Sequence, residues 1–209
     1  MRGAEGKDPG GLTAAFVVGR PGGSRSPRRR LSCRRQGIKR LSVGAVARRI
    51  GVVPSAVYRH FQGKKEVLSA AVGRMGDRLL ENVLKAGSAE KNALERLRRI
   101  LGFHVKTIRE GYAGPRILFS EGISGGGANH REEVCQVIRR YLDRVAEVIR
   151  QGQQRGDIRG DIDPVAAAVS FIGLIQPAAT LWYFSGGKFD VTRHAERSFA
   201  LIADSIRAE

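Results

Sequence analysis

LSVGAVARRIGVVPSAVYRHF, residues 41–61, decides the fold, because two short amphipathic segments meet there at a glycine. In the first, Val43, Val46, Ala47 and Ile50 recur at spacings of three, one and three, which stacks them on one face of a helix. Ser42 is placed to cap that helix. Gly51 follows where the chain must turn, and glycine accepts the positive φ that a helix C-terminus commonly needs. Val52 plugs the turn. Pro54 suits the first position of a second helix, since its missing N–H has no intrahelical acceptor there anyway. Val57 and Phe61 then point inward one turn apart, leaving Ser55, Ala56, Tyr58, Arg59 and His60 outward.

Small, aromatic and hydrogen-bonding side chains on one exposed helical face are what a major groove of DNA requires, so the pair predicts a helix-turn-helix. Composition agrees. Thirty-seven Lys and Arg against 20 Asp and Glu give a formal net charge of +17, which favours polyanionic partners. The excess is uneven, since residues 1–40 hold 11 basic and 2 acidic residues.

The segment GIKRLSVGAVARRIGVVPSAVYRHFQGKKEVL, residues 37–68, resembles the tetracycline-repressor (TetR/AcrR) family of transcriptional regulators. The family's usual run reads roughly GxxxTTxxxIAxxAGVSxGTLYxHFxxKxxL. The match covers the spacing, the glycine turn, the Tyr-x-His-Phe ending and the lysine that follows. By that resemblance Tyr58 and Lys64 hold phosphates, helped by Ser42 and by the Lys64 amide at a helix N-terminus. Pro54, Ser55, Ala56, Arg59 and His60 would then lie nearest the bases. Two departures blur the site that would be read. Gly44, in the DNA-facing set by position, stands where many members carry arginine, and Val53 replaces the usual serine cap; each lost polar group removes a contact or cap worth on the order of 1 kcal/mol.

The resemblance also implies a first helix ending just before Gly37, and here the chain offers GGSRSPRRRLSCRRQ instead. Gly22, Gly23 and Pro27 oppose a helix, and only Leu31 and Cys33 could supply an apolar face. Three readings stay open for residues 1–36: a disordered basic arm, a substitute helix folded back from residues 12–18, or translation from a shifted frame. The apolar run 12–19 is short and follows Glu5 and Asp8, which argues against a secretion signal.

Beyond the motif the chain reads as helices, giving an all-α fold: a helix-turn-helix DNA-binding domain over 37–84, then a helical effector-binding and dimerisation domain over 85–209. Leu68, Ala71, Val72, Met75, Leu79 and Val83 stripe a helix over about 65–85, and Leu94, Leu97, Leu101, Val105 and Ile108 another over 92–108. Val134, Val137, Ile138, Tyr141, Leu142, Val145, Val148 and Ile149 stripe a third that ends near Gly152, with Cys135 expected to face the core beside Val134. PVAAAVSFIGLIQPAATLWYF, residues 164–184, is apolar nearly all round; it just reaches membrane-spanning length, yet equally fits a helix buried on all sides. The resemblance favours no membrane and a homodimer through 164–185 and 192–207, with Ala195, Phe199, Ile202 and Ile206 facing the partner. Two recognition helices about 34 Å apart would then read a roughly palindromic operator.

The same resemblance implies that a small-molecule effector, partly apolar, enters the second domain and releases the DNA, repression being the family's commoner mode. Phe103, His104, Thr107, Phe119, Phe171, Gln176, Trp182 and Tyr183 offer aromatic walls and a few polar handles for it. Aromatic residues at helical spacing fit plain core equally well.

Two other classes compete. A nonspecific nucleic-acid binder would make the basic arm primary and the motif incidental. A serine hydrolase is suggested by Gly122-Ile-Ser124-Gly-Gly126 with Asp190 and His194 following, but a nucleophile elbow needs a strand before it, and this chain is helical in period. The reading is therefore not an enzyme. His60, His104, His130 and His194 lie far apart in sequence and show no metal-ligand spacing, so neither metal nor cofactor is expected. Two cysteines, Cys33 and Cys135, are too few for a disulfide framework and point to a reducing cytoplasm.

Overall fold

The computed structural model describes residues 55, 60–87, 92–110 and 128–208. They form five helices: α1 Lys64–Gly87, α2 Ala93–Arg109, α3 Ala128–Arg155, α4 Pro164–Phe184 and α5 Val191–Ile206. No strand occurs among the described residues; Ile158 and Arg207 make an isolated antiparallel bridge. The all-α expectation therefore holds. The chain divides into two packed units, with boundaries inside α1 after Met75 and inside α3 after Val134.

In the first unit Phe61, Leu68, Ala71, Val72 and Met75 are buried, as the spacing before and along α1 predicts, and Val67 is buried with them. The start of α1 is held twice. The Gly63 carbonyl accepts the Val67 N–H, and the Glu66 carboxylate reaches back to the Gln62 N–H. A carboxylate in this first turn also complements the helix dipole.

The second unit holds the main core. Leu94, Leu97, Ile100, Leu101, Val105 and Ile108 of α2 meet Tyr141, Val145, Val148 and Ile149 of α3, Phe171 and Ile175 of α4, and Phe199 and Ile206 of α5 in one cluster. Helix α5 packs on α4 and α2, and α2 packs on α4. Helices α2 and α3 run antiparallel, because Ala93 faces Gly152, Arg96 donates to Gln151 and His104 meets Tyr141.

Glycine sets how closely α2 and α3 approach. A Cβ on Gly152 would lie 2.5 Å from the Ala93 Cβ and 2.9 Å from Ile158 Cδ1. The helix ends one turn later: Gly156 takes φ +76°, and Asp157 N–H donates to the Gly152 carbonyl while Gly156 N–H donates to Gln153. This Schellman arrangement aims Asp157 at the start of α2. Its carboxylate accepts from the Ala93 N–H at 2.9 Å and from Asn92 Nδ2 at 3.0 Å, and Asn92 Oδ1 caps Leu94 and Glu95. Gln153 Nε2 ties down the following loop through the carbonyls of Arg159 and Ile162.

Three expectations are corrected. Cys135 is exposed, because a step of about 100° from buried Val134 carries it off the core face. Helix α4 is not buried all round: it starts on Pro164 with Asp163 as cap and buries Ala167, Ala168, Phe171, Ile175, Ala178 and Ala179, while Val165, Val169, Leu181 and Phe184 stay 48%, 52%, 49% and 80% exposed. The α5 stripe of Ala195, Phe199 and Ile206 fills the chain's own core, with Ile202 packed against it, and the outward apolar side chain of α5 is Leu201, 74% exposed. A helix in a dimer needs one stripe for its own core and another for its partner, and periodicity alone does not say which is which.

Gly152→Ala is expected to lower the unfolding free energy by about 1–2 kcal/mol, because overpacking against Ala93 outweighs the gain in helix propensity. Gly160→Ala, where a Cβ meets nothing within 4 Å, serves as the control and should leave the urea midpoint almost unmoved.

Candidate effector site and DNA-reading segment

Most of the residues assigned to DNA lie outside the described residues: Ser42, Gly44, Pro54, Ala56, Tyr58 and Arg59, together with the Lys64 side chain. Ser55 is helical and exposed. His60 sits half-buried in the turn before buried Phe61, and Lys64 is the first residue of α1, which puts its amide at a helix N-terminus.

In the second unit the effector candidates separate. Phe171 belongs wholly to the core, 1% exposed and edge-to-face with Phe199 at 6.4 Å. Trp182 packs on the core and over Gly187, in the loop that closes α4. Tyr183 makes a ring contact with Phe184 at 5.5 Å, and Gln176 is half-buried with its carbonyl taken by Thr180 Oγ1. Phe119 lies outside the described residues.

Phe103, His104 and Thr107 share one turn of α2. Phe103 packs on the core, and Thr107 is buried with its hydroxyl spent on the Phe103 carbonyl at 2.9 Å. His104 is different, because it meets a polar group on another helix. Its Nδ1 lies 3.3 Å from the Tyr141 hydroxyl, with the rings edge-to-face at 5.8 Å. Tyr141 is buried, whereas His104 keeps some accessible surface. Burial alone pulls the imidazole pKa down to about 4 and pushes the phenol well above its ordinary range, so both are neutral at physiological pH.

Sequence reasoning placed Tyr141 in an apolar stripe and missed this pairing. The available signal was a lone hydroxyl-tipped side chain on the inward face of α3. A buried phenol needs a partner, and the antiparallel packing of α2 supplies one.

The hydrolase arrangement finds no support among the described residues. The Asp190 carboxylate caps α5 by accepting the Arg193 N–H at 3.0 Å, and His194 Nε2 lies 3.4 Å from Ser198 on its own helix. Ser124 lies outside the described residues. No group of His, Cys, Asp and Glu suited to a metal occurs among them.

An unfolded histidine takes up its proton near pH 6.5 and His104 in the fold only near pH 4, so stability is full above this window and falls as pH drops through it. Removing His104, as in His104→Gln, should flatten unfolding free energy against pH between 6.5 and 4 by about one proton, measured by urea unfolding at each pH. An unchanged slope would contradict the burial.

Residues 90–206 match the family described as tetracyclin repressor-like, C-terminal domain, and residues 33–71 match bacterial regulatory proteins, tetR family. The nucleoid occlusion factor SlmA of Vibrio vulnificus (strain YJ016) is 20% identical over 172 residues, covering 82% of this chain and 88% of that protein. Among solved structures, the fatty acid degradation regulator FadR of Bacillus halodurans superposes with a TM-score of 0.75 at 16% identity, over 98% of this chain and 100% of that one. The transcriptional regulator FadR of Bacillus subtilis in complex with stearoyl-CoA gives 0.63 at 18%, over 93% and 96%. With one family description covering more than half of the sequence and a second covering the helix-turn-helix, the chain belongs to the tetracycline-repressor family of transcriptional regulators.

Proposed function

We propose that this protein is a ligand-responsive repressor that binds a palindromic operator as a homodimer and leaves it when a small, partly apolar molecule enters its C-terminal domain. The observation that carries the proposal is the family match on both sides of α1, a DNA-reading segment and an effector-type domain in one chain. Residues 37–84 are the DNA-binding domain and 85–209 the effector and dimer domain. Tyr58, Lys64 and Ser42 hold phosphates; Pro54, Ser55, Ala56, Arg59 and His60 face the bases, with Gly44 close to the backbone. The acyl-CoA in the structure of the Bacillus subtilis regulator supports a partly apolar effector. The protein acts in the cytoplasm, at DNA, and is not an enzyme.

The outward stripe Val165, Val169, Leu181 and Phe184 of α4, with Leu201 of α5, is the dimer face. Gly173 and Pro177 continue it, both exposed, so a partner helix meets a low point in the middle of the stripe. Helix α4 is long and apolar enough to cross a membrane by length and composition, but its inner face already belongs to the core and a second chain accounts for its outer one.

Footprinting on the DNA upstream of its own gene should show a protected, roughly palindromic site, preferred over unrelated DNA by about a thousandfold or more. Equal binding to unrelated DNA with a steep salt dependence would establish the nonspecific alternative. Tyr58→Phe should weaken binding to every site by a similar factor, on the order of 1 kcal/mol, because a phosphate contact carries no sequence information. Leu181→Glu combined with Leu201→Glu should yield monomers in sedimentation velocity and abolish the footprint, and a dimer that survives both changes would refute the assigned face.

A further inference from the structure

The contact between His104 and Tyr141 fixes more than a ring orientation. The Tyr141 hydroxyl is buried, and its hydrogen-bond partner among the described residues is His104 Nδ1 at 3.3 Å. A buried O–H that donates to nothing is costly, so the phenol donates and Nδ1 accepts. In a neutral imidazole the proton must then sit on Nε2. That nitrogen has no hydrogen-bond partner among the described residues, and His104 keeps accessible surface where Tyr141 does not. The result is a single uncharged N–H donor of fixed tautomer on a partly exposed ring, carried by helices whose Leu101, Val105 and Val145 belong to the main apolar core.

We infer that His104, held as its Nε2–H tautomer by Tyr141, is the donor that recognises an uncharged carbonyl oxygen in an otherwise apolar effector. Charge argues for a neutral acceptor. Burial accounts for the displaced protonation of both groups, with no charge among the described residues contributing to either. A carboxylate brought to Nε2 would therefore lose its hydration with no cation among the described residues beside it, at a cost that one hydrogen bond does not recover. A ketone, ester or thioester oxygen loses far less and gains a directed bond. This inference rests on the effector reading above and says which chemical group that effector presents.

The probes are 2-nonanone and nonanoate, matched in carbon count and differing in the charge of the oxygen function, added to the full-length protein labelled with 15N at histidine. Long-range 1H–15N spectra of the free protein should show His104 as the Nε2–H tautomer. Adding 2-nonanone should shift its Nε2 resonance without protonating the ring, and should bind about tenfold more tightly than nonanoate. Tyr141→Phe, which frees the tautomer, should weaken 2-nonanone about tenfold and leave nonanoate unchanged. An Nδ1–H tautomer in the free protein, an unmoved His104 on adding the ketone, or binding of nonanoate at least as tight as the ketone would each overturn the inference, and none of these depends on whether the variant folds. Footprinting the same samples separates the two readings. A specific footprint with an unmoved His104 sinks the inference alone, whereas a responding His104 with no DNA preference sinks the repressor proposal and leaves the inference standing.

Discussion

Helix α4 carries more apolar surface than one chain covers, and much of the rest follows from that constraint. Its inner face is built of Ala167, Ala168, Ala178 and Ala179 around Phe171 and Ile175, so α5 and α2 come close while two large side chains fill the centre. Its outer face leaves Val165, Val169, Leu181 and Phe184 half-exposed or more, each forgoing roughly half or more of the about 1.5–3 kcal/mol that burial from full exposure would bring. In the proposed dimer a second copy of the chain offers the same stripe, and an isologous pairing covers both at once. Dimerisation in turn is what lets two helix-turn-helix segments read one palindrome.

The pairing of α2 with α3 is the second constraint, and it is set at their ends. Gly152 admits Ala93, Gly156 reverses the chain, and Asp157 anchors the Ala93 amide at the start of α2 while Asn92 caps the next turn. Small side chains and satisfied amides at one end thus fix a register whose consequence appears more than two turns along, where His104 meets Tyr141. The chemistry of the candidate site is therefore inherited from backbone geometry remote from it. In the inferred site stability and ligand preference are tied together, since the pair that fixes the tautomer also satisfies a buried phenol.

Stripes at helical spacing make the helices legible in the sequence. Leu94, Leu97, Leu101, Val105 and Ile108 are buried as spaced, and Pro164 begins α4 behind an aspartate cap. What periodicity leaves open is the identity of the neighbour. Ala195, Phe199 and Ile206 read as a partner-facing stripe and turn out to pack inside their own chain, with Leu201 on the other side. Cys135 shows the same limit on a finer scale, one residue from buried Val134 and yet exposed. Tyr141 was hidden by its own hydrophobicity, since its hydroxyl matters only once another helix brings a nitrogen to it. The helix-turn-helix segment was legible through joint spacing and the family resemblance, and it falls within the residues that match the tetR family; most of its individual DNA contacts lie outside the described residues.

The central claim, that two copies of this chain act together on one DNA site, is tested most directly by native mass spectrometry of the protein mixed with its own upstream duplex and with an unrelated duplex of equal length. A complex of two chains per specific duplex is expected, with little complex on the other. A single chain on the specific duplex, or the same ladder of bound chains on both, would contradict it.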